Sequence, residues 1–360
     1  MSVASHEHWM RRCLDLAEQG RGAVGNGALV GAVLLRNGAV LAEGFHAGYG
    51  MPHAERDLLQ KFEQKMSTKD TLYVNLEPCC HHGKTPPCTD AIIAAGIRRV
   101  VYGMRDPDLR VAGKGVATLR AAGVEVIGPV SAALCERFNR GFVSARRSGR
   151  PWVTLKQAVD ADGSIAHADG SPKQITSDVQ NAWSHRWLRA RHDAILVGVG
   201  TILADNPKLN TRIDQFFSYK NNTLVDQKNS TSTKVDQKQP LRVILDPALR
   251  CPLEAVVLTD DRPDRTMLLV DAAKICDDDD RIARLRERGV VVRHVQCTPD
   301  GIAWGELWDA LLTHGDGAQG CTSVLVEGGA RTWQAFRRSR CVDEEIFLAG
   351  YADRDAAMEW

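Results

Sequence analysis

Twice along this chain, short apolar runs alternate with stretches of helical spacing, and a chain patterned that way folds as sheet covered by helices. In the first half, Trp9, Met10, Cys13, Leu14, Leu16 and Ala17 share a helical face over residues 8–19, which Gly20 and Gly22 terminate. Residues 28–35 and 39–45 are apolar and joined through Arg36, Asn37 and Gly38, and Asn-Gly between two such runs predicts a hairpin. A helix is expected over 54–62, a strand over 71–76, a helix over 89–95 closed by Gly96, a strand over 99–102, a weaker strand over 124–127 and a helix over 132–138.

The second half repeats the pattern, with strand-like runs at 194–199, 241–245, 266–270, 290–294 and 323–326. At 360 residues the chain exceeds what one hydrophobic core organises, so two domains are expected. The basic, breaker-rich stretch Arg146, Arg147, Ser148, Gly149, Arg150, Pro151 reads as a linker at 146–151, between a domain of residues 1–145 and one of 152–360. Residues 214–239 interrupt the second domain: Val225-Asp226-Gln227-Lys228 recurs as Val235-Asp236-Gln237-Lys238 in a Ser/Thr/Asn-rich setting, which predicts a solvated, flexible insertion.

Lys plus Arg (46) and Asp plus Glu (45) nearly cancel, so no global field draws the chain to nucleic acid or to a membrane surface, and an anionic substrate must be met locally. No apolar run reaches the roughly 18 residues of a membrane helix, and His6, Glu7, Arg11, Arg12 and Asp15 make the start too charged for a signal peptide. A cytoplasmic address follows as the expectation, with the ten cysteines as thiols and metal ligands rather than disulfides. Cys13, Cys135, Cys251, Cys276, Cys297, Cys321 and Cys341 are isolated and read as small buried hydrophobes.

Cys79, Cys80 and Cys88 are different. His53 and Glu55 stand at a predicted helix start after Pro52; Glu77, Pro78 and Cys79 follow a predicted strand; Cys88 opens the next helix after Pro86 and Pro87. One His, two Cys and a Glu that is not a ligand form the signature of zinc-dependent base deaminases. With His53, Cys79 and Cys88 on the metal, the fourth tetrahedral position is left for water, whose pKa zinc lowers to about 7. Glu55 is then the group that moves protons to a ring nitrogen and to departing ammonia. A structural zinc knot, with Cys80, His81 or His82 as fourth ligand, is the competing reading, and it has no use for Glu55. Lys84, Arg105, Arg110 and Lys114 are the nearby cations available to a phosphate.

Nucleoside and nucleic-acid deaminases place two residues between their cysteines, whereas eight separate Cys79 from Cys88. EPCCHHGKTPPC (Glu77 to Cys88) with PHAE (Pro52 to Glu55) resembles the deaminase half of the bifunctional deaminase/reductases of riboflavin biosynthesis. Asp106-Pro107 leading to Val111-Ala112-Gly113-Lys114-Gly115 is similar to that family's substrate loop, and Leu155-Lys156 with Asp162-Gly163 to the start of its reductase domain. The resemblance implies an α/β protein: an N-terminal cytidine-deaminase-like three-layer domain and a C-terminal dihydrofolate-reductase-like domain. The implied reaction is deamination of a phosphoribosylated diaminopyrimidinone, then NADPH reduction of its ribosyl group to ribityl. The partner is thus a small molecule and neither nucleic acid nor membrane, and a homo-oligomer is allowed. By the same match His53, Cys79 and Cys88 hold Zn2+, Glu55 donates the proton and Asn26 borders the pyrimidine. Gly198-Val199-Gly200-Thr201 and Glu327-Gly328-Gly329 are similar to the reductase's turns, implying NADPH contacts at Thr201, Asp205 and Gly329 and substrate contacts at Arg189, Leu209, Arg212 and Glu327.

Three departures carry expectations of their own. The family's PNPxVGCV reads Gly25-Asn26-Gly27-Ala28-Leu29-Val30-Gly31-Ala32-Val33, and glycine in place of proline predicts a looser loop and weaker substrate binding. SxWIT reads Pro172-Lys173-Gln174-Ile175-Thr176, which removes a large packing face. The chain also reaches Trp360 without the family's APxLLG-like turn and later strands, so a truncated sheet and weak reduction are expected. Two other function classes stay open at this stage: a nucleic-acid or nucleoside deaminase, which the near-zero charge disfavours, and a zinc-stabilised binding module without catalysis.

Overall fold

The computed structural model describes residues 3–83, 85–109, 111–160, 175–212, 239–298 and 301–350, and it divides into two compact units. The first comprises Met1–Pro151 together with Leu312–Thr322; the second comprises Trp152–Leu311 and Ser323–Trp360. The short segment 312–322 thus folds with the first unit although its neighbours in sequence belong to the second.

In the first unit, β1 (Gly31–Arg36), β2 (Ala39–Phe45), β3 (Asp70–Leu76), β4 (Arg99–Met104) and β5 (Glu125–Ile127) form a sheet in the order β2-β1-β3-β4-β5. The β1–β2 hairpin turns through Asn37 and Gly38, both at positive φ, and β1 is antiparallel to β3, while β3, β4 and β5 run parallel. Helices α1 (Val3–Ala17), α2 (Ala54–Lys61), α3 (Cys88–Ala94), α4 (Lys114–Ala121), α5 (Ala132–Phe138) and α6 (Arg140–Ser148) connect or cover the strands. Two small residues let the covering helices in. A Cβ at Gly31 would fall 2.1 Å from the Cys13 carbonyl of α1, and one at Gly44 would fall 2.5 Å from the Leu58 nitrogen of α2. Ala32 pairs with Gly44, so Gly31 and Gly44 open opposite faces of the sheet, and α1 and α2 cover one face each. Consequently every residue of the central strand β3 is buried.

The basic stretch at the expected linker is only partly a linker. Arg146 to Ser148 are the last turn of α6, which Gly149 ends at φ 65, so Gly149–Pro151 alone connect to the next strand.

The second unit is built on β6 (Trp152–Val159), β7 (Ala194–Gly198), β8 (Leu241–Leu245), β9 (Thr266–Asp271), β10 (Val291–Val295), β13 (Ser323–Val326) and β14 (Glu344–Ala349), with a small hairpin of β11 (Cys297–Thr298) and β12 (Gly301–Ile302). The main sheet has the order β10-β9-β8-β7-β13-β6-β14, and every neighbouring pair is parallel. Its helices are α7 (Asp178–Trp183), α8 (Val199–Asp205), α9 (Val256–Thr259), α10 (Asp280–Glu287), α11 (Trp304–Leu312) and α12 (Ala330–Ser339). The chain leaves β7 toward β8 on one side and leaves β13 toward β14 on the other. Between the carboxyl ends of β7 and β13 the strand order therefore reverses, which is where parallel α/β sheets open a ligand crevice.

Gln239 corrects the extent of the insertion: its side chain accepts from Thr211 N at 2.7 Å and donates to Thr211 O at 3.2 Å, so it closes the base of the insertion rather than lying within it. Residues 213–238, Lys84, Arg110, Pro172, Gln174 and 351–360, on which several sequence expectations fall, lie outside the described residues. Of the isolated cysteines, Cys13, Cys135, Cys251 and Cys321 are buried as expected, but Cys276 is exposed because it sits in a polar loop before α10. No helix among the described residues is long and apolar enough to cross a membrane.

Candidate active sites

Three side chains converge where two helices begin and a strand ends. His53 caps α2, Cys79 follows β3, and Cys88 is the first residue of α3. Nδ1 of His53 lies 3.6 Å from Cys79 Sγ and 3.4 Å from Cys88 Sγ, and the three donor atoms all lie within 4.8 Å of one another. Cys88 N donates to Cys79 Sγ at 3.3 Å and Thr89 N to the Cys79 carbonyl at 3.1 Å, so the first donor of α3 faces a sulfur. The Cys88 side chain bonded to Cys79 draws the Cys79 pKa down, and His53 adds to the effect, against the opposing influence of burial. Burial above all, with the negative charge of Cys79 behind it, pushes the Glu55 carboxyl up; its residue is only 3% exposed.

This donor set fits zinc. A tetrahedral ion with Zn–S near 2.3 Å and Zn–N near 2.05 Å sets nitrogen and sulfur about 3.6 Å apart, which is the separation observed. Among the described residues the cluster stops at three members, without Cys80, His81 or His82, so the set is that of an open site rather than a four-ligand knot.

Arg56, which the sequence reading passed over, and Glu77, which it quoted only as part of a motif, hold this cluster in shape. Arg56, in the first turn of α2, donates to the carbonyls of Pro86 at 3.0 Å and Pro87 at 2.8 Å, and so ties the segment that delivers Cys88 to the helix that carries His53. Glu77, 4% exposed, accepts from the backbone nitrogens of Asp106 at 3.2 Å, Gly113 at 2.9 Å and Val116 at 3.2 Å. It anchors the loop that resembles a substrate loop to the strand end bearing Cys79. Neither role has a sequence signature, since a backbone partner can be any residue.

A cavity of about 410 Å³ opens onto the cluster. His53, Glu55 and Cys79 form its floor, and Asn26, His46, Tyr49, Asp106 and Arg146 are among its walls. His46 packs edge-on against His53 with ring centroids 5.3 Å apart and bonds through Nδ1 to the Pro52 carbonyl oxygen at 3.1 Å; burial lowers its pKa. Of the four cations suggested for a phosphate, Arg105 and Lys114 are exposed and absent from the lining, and the arginine that does line the cavity is Arg146.

The glycine-for-proline loop is not loose. Leu29 N donates to Asn139 Oδ1 at 2.8 Å, and the Leu29 carbonyl accepts from Asn75 and Asn139, each at 3.0 Å. Gly25 has φ +60, which proline cannot adopt, and a Cβ there would fall 2.3 Å from the Gly317 carbonyl. The expected looseness is corrected by these clamps: the glycines permit a tight packing instead.

In the second unit, Arg189, Arg212 and Glu327 come together at the reversal of strand order. Glu327 follows β13 and pairs with Arg189, Nη2 to Oε2 at 2.5 Å with Nε at 3.2 Å from both oxygens, and their side chains are 16% and 7% exposed. Arg189 also donates to Asn210 O at 3.1 Å, while Arg212 donates from Nη1 to Asn210 Oδ1 at 3.0 Å and from its backbone to His185 Nδ1 at 3.1 Å. Burial alone would raise the Glu327 pKa, but Arg189 and Lys156 outweigh it and bring it to about 2. Burial, then Arg189 and Arg212, push His185 down to about 4, so it is neutral near pH 7. Lys156, matched in the sequence only as part of the reductase domain's start, and His185, not singled out there, are thus members of this cluster. Leu209, at φ +49, is only 2% exposed and packs in the core rather than lining the cluster with its side chain.

Thr201 lies in the first turns of α8, Asp205 closes that helix one turn on and is exposed, and Gly329 caps α12 with its would-be Cβ 3.9 Å from Thr201 Oγ1. Helix α12 begins without a side-chain cap, which leaves its first N–H groups for an anionic ligand such as the phosphates of NADPH. The neighbouring glycines make room for α12: side chains at Gly198 and Gly328 would collide with Thr332 at 2.5 and 2.6 Å.

Comparison with known proteins agrees with both halves. Residues 3–104 match the cytidine and deoxycytidylate deaminase zinc-binding region, and residues 151–350 match the RibD C-terminal domain. The riboflavin biosynthesis protein RibD of Actinobacillus pleuropneumoniae is 37% identical over 322 residues, covering 89% of this chain and 77% of the relative. That of Bacillus amyloliquefaciens is 36% identical, covering 95% and 83%. Among solved structures, Acinetobacter baumannii RibD superposes with a TM-score of 0.78 at 31% identity, covering 97% of this chain and 87% of that one. The diaminohydroxyphosphoribosylaminopyrimidine deaminase/5-amino-6-(5-phosphoribosylamino)uracil reductase of Thermotoga maritima does so at 0.74 and 32%, covering 96% and 87%.

Proposed function

The chain belongs to the RibD family, the zinc-dependent deaminases and NADPH-dependent reductases of riboflavin biosynthesis, and from that premise we propose how its own residues divide the two reactions. The observation that carries the deaminase reading is His53 Nδ1 between two cysteine sulfurs at zinc-compatible separations, with buried Glu55 two residues away on the same helix. His53, Cys79 and Cys88 hold the zinc, which supplies the Lewis acidity that makes water nucleophilic at neutral pH. In the hydrolysis a C–O bond forms at the ring carbon, the C–N bond to the exocyclic amine breaks, and ammonia leaves. Glu55 takes one proton from water and passes it to the ring nitrogen, then takes the second from the hydroxyl formed on the ring carbon and gives it to the departing amine; its raised pKa suits a group that must both take and release a proton. Asn26 in the cavity wall orients the pyrimidine, and Arg146, rather than Arg105 or Lys114, faces the phosphoribosyl group.

For the reductase, NADPH supplies the hydride that converts ribosyl to ribityl. Thr201, Asp205 and Gly329 hold that cofactor beside the open start of α12. Arg189, Arg212 and Lys156 form a cationic wall for the substrate's phosphate, and Glu327 fixes Arg189 in place. The substrate is a small phosphoribosyl pyrimidine, not nucleic acid, and the chain works in the cytoplasm. The deciding experiment supplies the diaminopyrimidine intermediate and measures ammonia release, NADPH oxidation and zinc content on one preparation. Retained zinc without ammonia release defeats the deaminase reading; tight, steeply salt-dependent tRNA binding in its place favours a nucleic-acid deaminase.

A further inference from the structure

Tyr49 and Asn26 stand side by side in the wall of the deaminase cavity, and both are gripped by a segment encoded far away in the sequence. Between α11 and β13 the chain runs through Leu312–Thr322, which folds as part of the first unit. Asn26 N donates to the Gly317 carbonyl at 3.1 Å, and its Nδ2 lies 3.5 Å from the Leu312 carbonyl. Tyr49 donates from its hydroxyl to the Asp316 carbonyl at 3.0 Å. The grip depends on an unusual turn: Gly315, Asp316 and Gly317 have φ of +56, +54 and +84. A Cβ on Gly317 would fall 2.7 Å from Asn26 Nδ2 and 3.2 Å from Tyr49 Oη, and one on Gly320 would fall 3.1 Å from Asn26 Cβ. From the other side, Asn75 and Asn139 fix Leu29, so the stretch carrying Asn26 is clamped at both ends.

We propose that segment 312–322 is a positioning strap of the deaminase pocket, with Gly317 as the positioning residue that sets where Asn26 and Tyr49 meet the pyrimidine. The inference rests on reading this cavity as the deaminase site. It assigns to the reductase half of the sequence a part in the deaminase reaction. The contacts described between the strap and the pocket fall on Asn26 and Tyr49, residues of the wall, so it governs substrate binding and not the chemical step.

The test uses full-length Gly317→Ala and Tyr49→Phe. Each is expected to raise the KM of deamination by roughly fivefold or more, the scale of one lost hydrogen bond. The kcat, zinc content and NADPH oxidation of both should stay within about twofold of the parent. An unchanged KM in both variants overturns the proposal, as does a fall in kcat at constant KM. If Gly317→Ala does not fold, Tyr49→Phe decides alone, since it removes one oxygen and adds no bulk. A parent chain that holds zinc but releases no ammonia overturns the deaminase reading itself; a parent that deaminates beside variants of unaltered KM overturns only the strap.

Discussion

Nδ1 of His53 lies 3.4 Å from the sulfur of Cys88, although the two residues are 35 positions apart in the chain. Each stands at the start of its own helix, and the starts are brought face to face by Arg56, which reaches from one helix to the carbonyls that precede the other.

Replacing Cys88 with serine should cost both the metal and the deaminase activity, because a hydroxyl is a poor substitute for thiolate on zinc. The parent is expected to carry one zinc per chain by elemental analysis. Full metal occupancy with full activity in Cys88→Ser would remove Cys88 from the ligand set.

Arg56→Ala should weaken zinc binding without abolishing it, by about tenfold, the lower end of what is lost when the residues supporting metal ligands are removed. Competition with a chromogenic chelator measures this directly. An affinity equal to the parent's would mean that the Pro86–Pro87 segment holds its place without the arginine.

Glu55→Gln should keep zinc and the thermal midpoint while kcat for deamination drops at least about 100-fold, the usual contribution of a general acid-base group. Loss of zinc together with activity would mark Glu55 as structural.

Glu327 makes the stability of the second unit acid-sensitive in a definite window. Its folded pKa of about 2 lies below the ordinary 4.5, so its contribution is fully present above pH 4.5 and is lost as pH falls toward 2. That displacement corresponds to about 3 kcal/mol. In Glu327→Gln the thermal midpoint should therefore fall well below the parent's at pH 6, and the gap should close between pH 4.5 and 2. His185, depressed to about 4 from 6.5, adds a second loss as pH falls from 6.5 toward 4, and because the Glu327 charge holds its pKa up, that loss is larger in the variant. A gap that stays constant across the acid range would contradict the Arg189–Glu327 pairing.

Reduction should be slower than deamination, since Gln174 and Pro172 stand where the family has tryptophan and serine. Supplying the deaminated intermediate with NADPH and following the nicotinamide absorbance measures it. Turnover matching the deamination rate would show that both replacements are tolerated, and Gln174→Trp should then bring no gain.

Local patterns in the sequence were sufficient for many of the elements and for the metal chemistry. Asn37-Gly38 marked the hairpin, the apolar runs marked β7, β8 and β13, and the types and placement of His53, Glu55, Cys79 and Cys88 marked a deaminase centre, because periodicity and ligand chemistry are properties of the residues themselves. Strands β6 and β14 went unread, since each is half-buried and mixes charged with apolar residues. Tertiary structure alone decided the rest. Arg56, Glu77, Asn75 and Asn139 act on backbone groups of distant segments, and a backbone carbonyl or N–H looks the same whatever residue carries it. For the same reason nothing in Gly25-Asn26-Gly27 announces that Gly317 packs against it, and the glycines read as slack where the folded chain uses them for close contact. Leu209 in the core and Arg146 in the cavity wall likewise depend on which way a side chain points once the sheet is covered, a direction that sequence spacing does not encode.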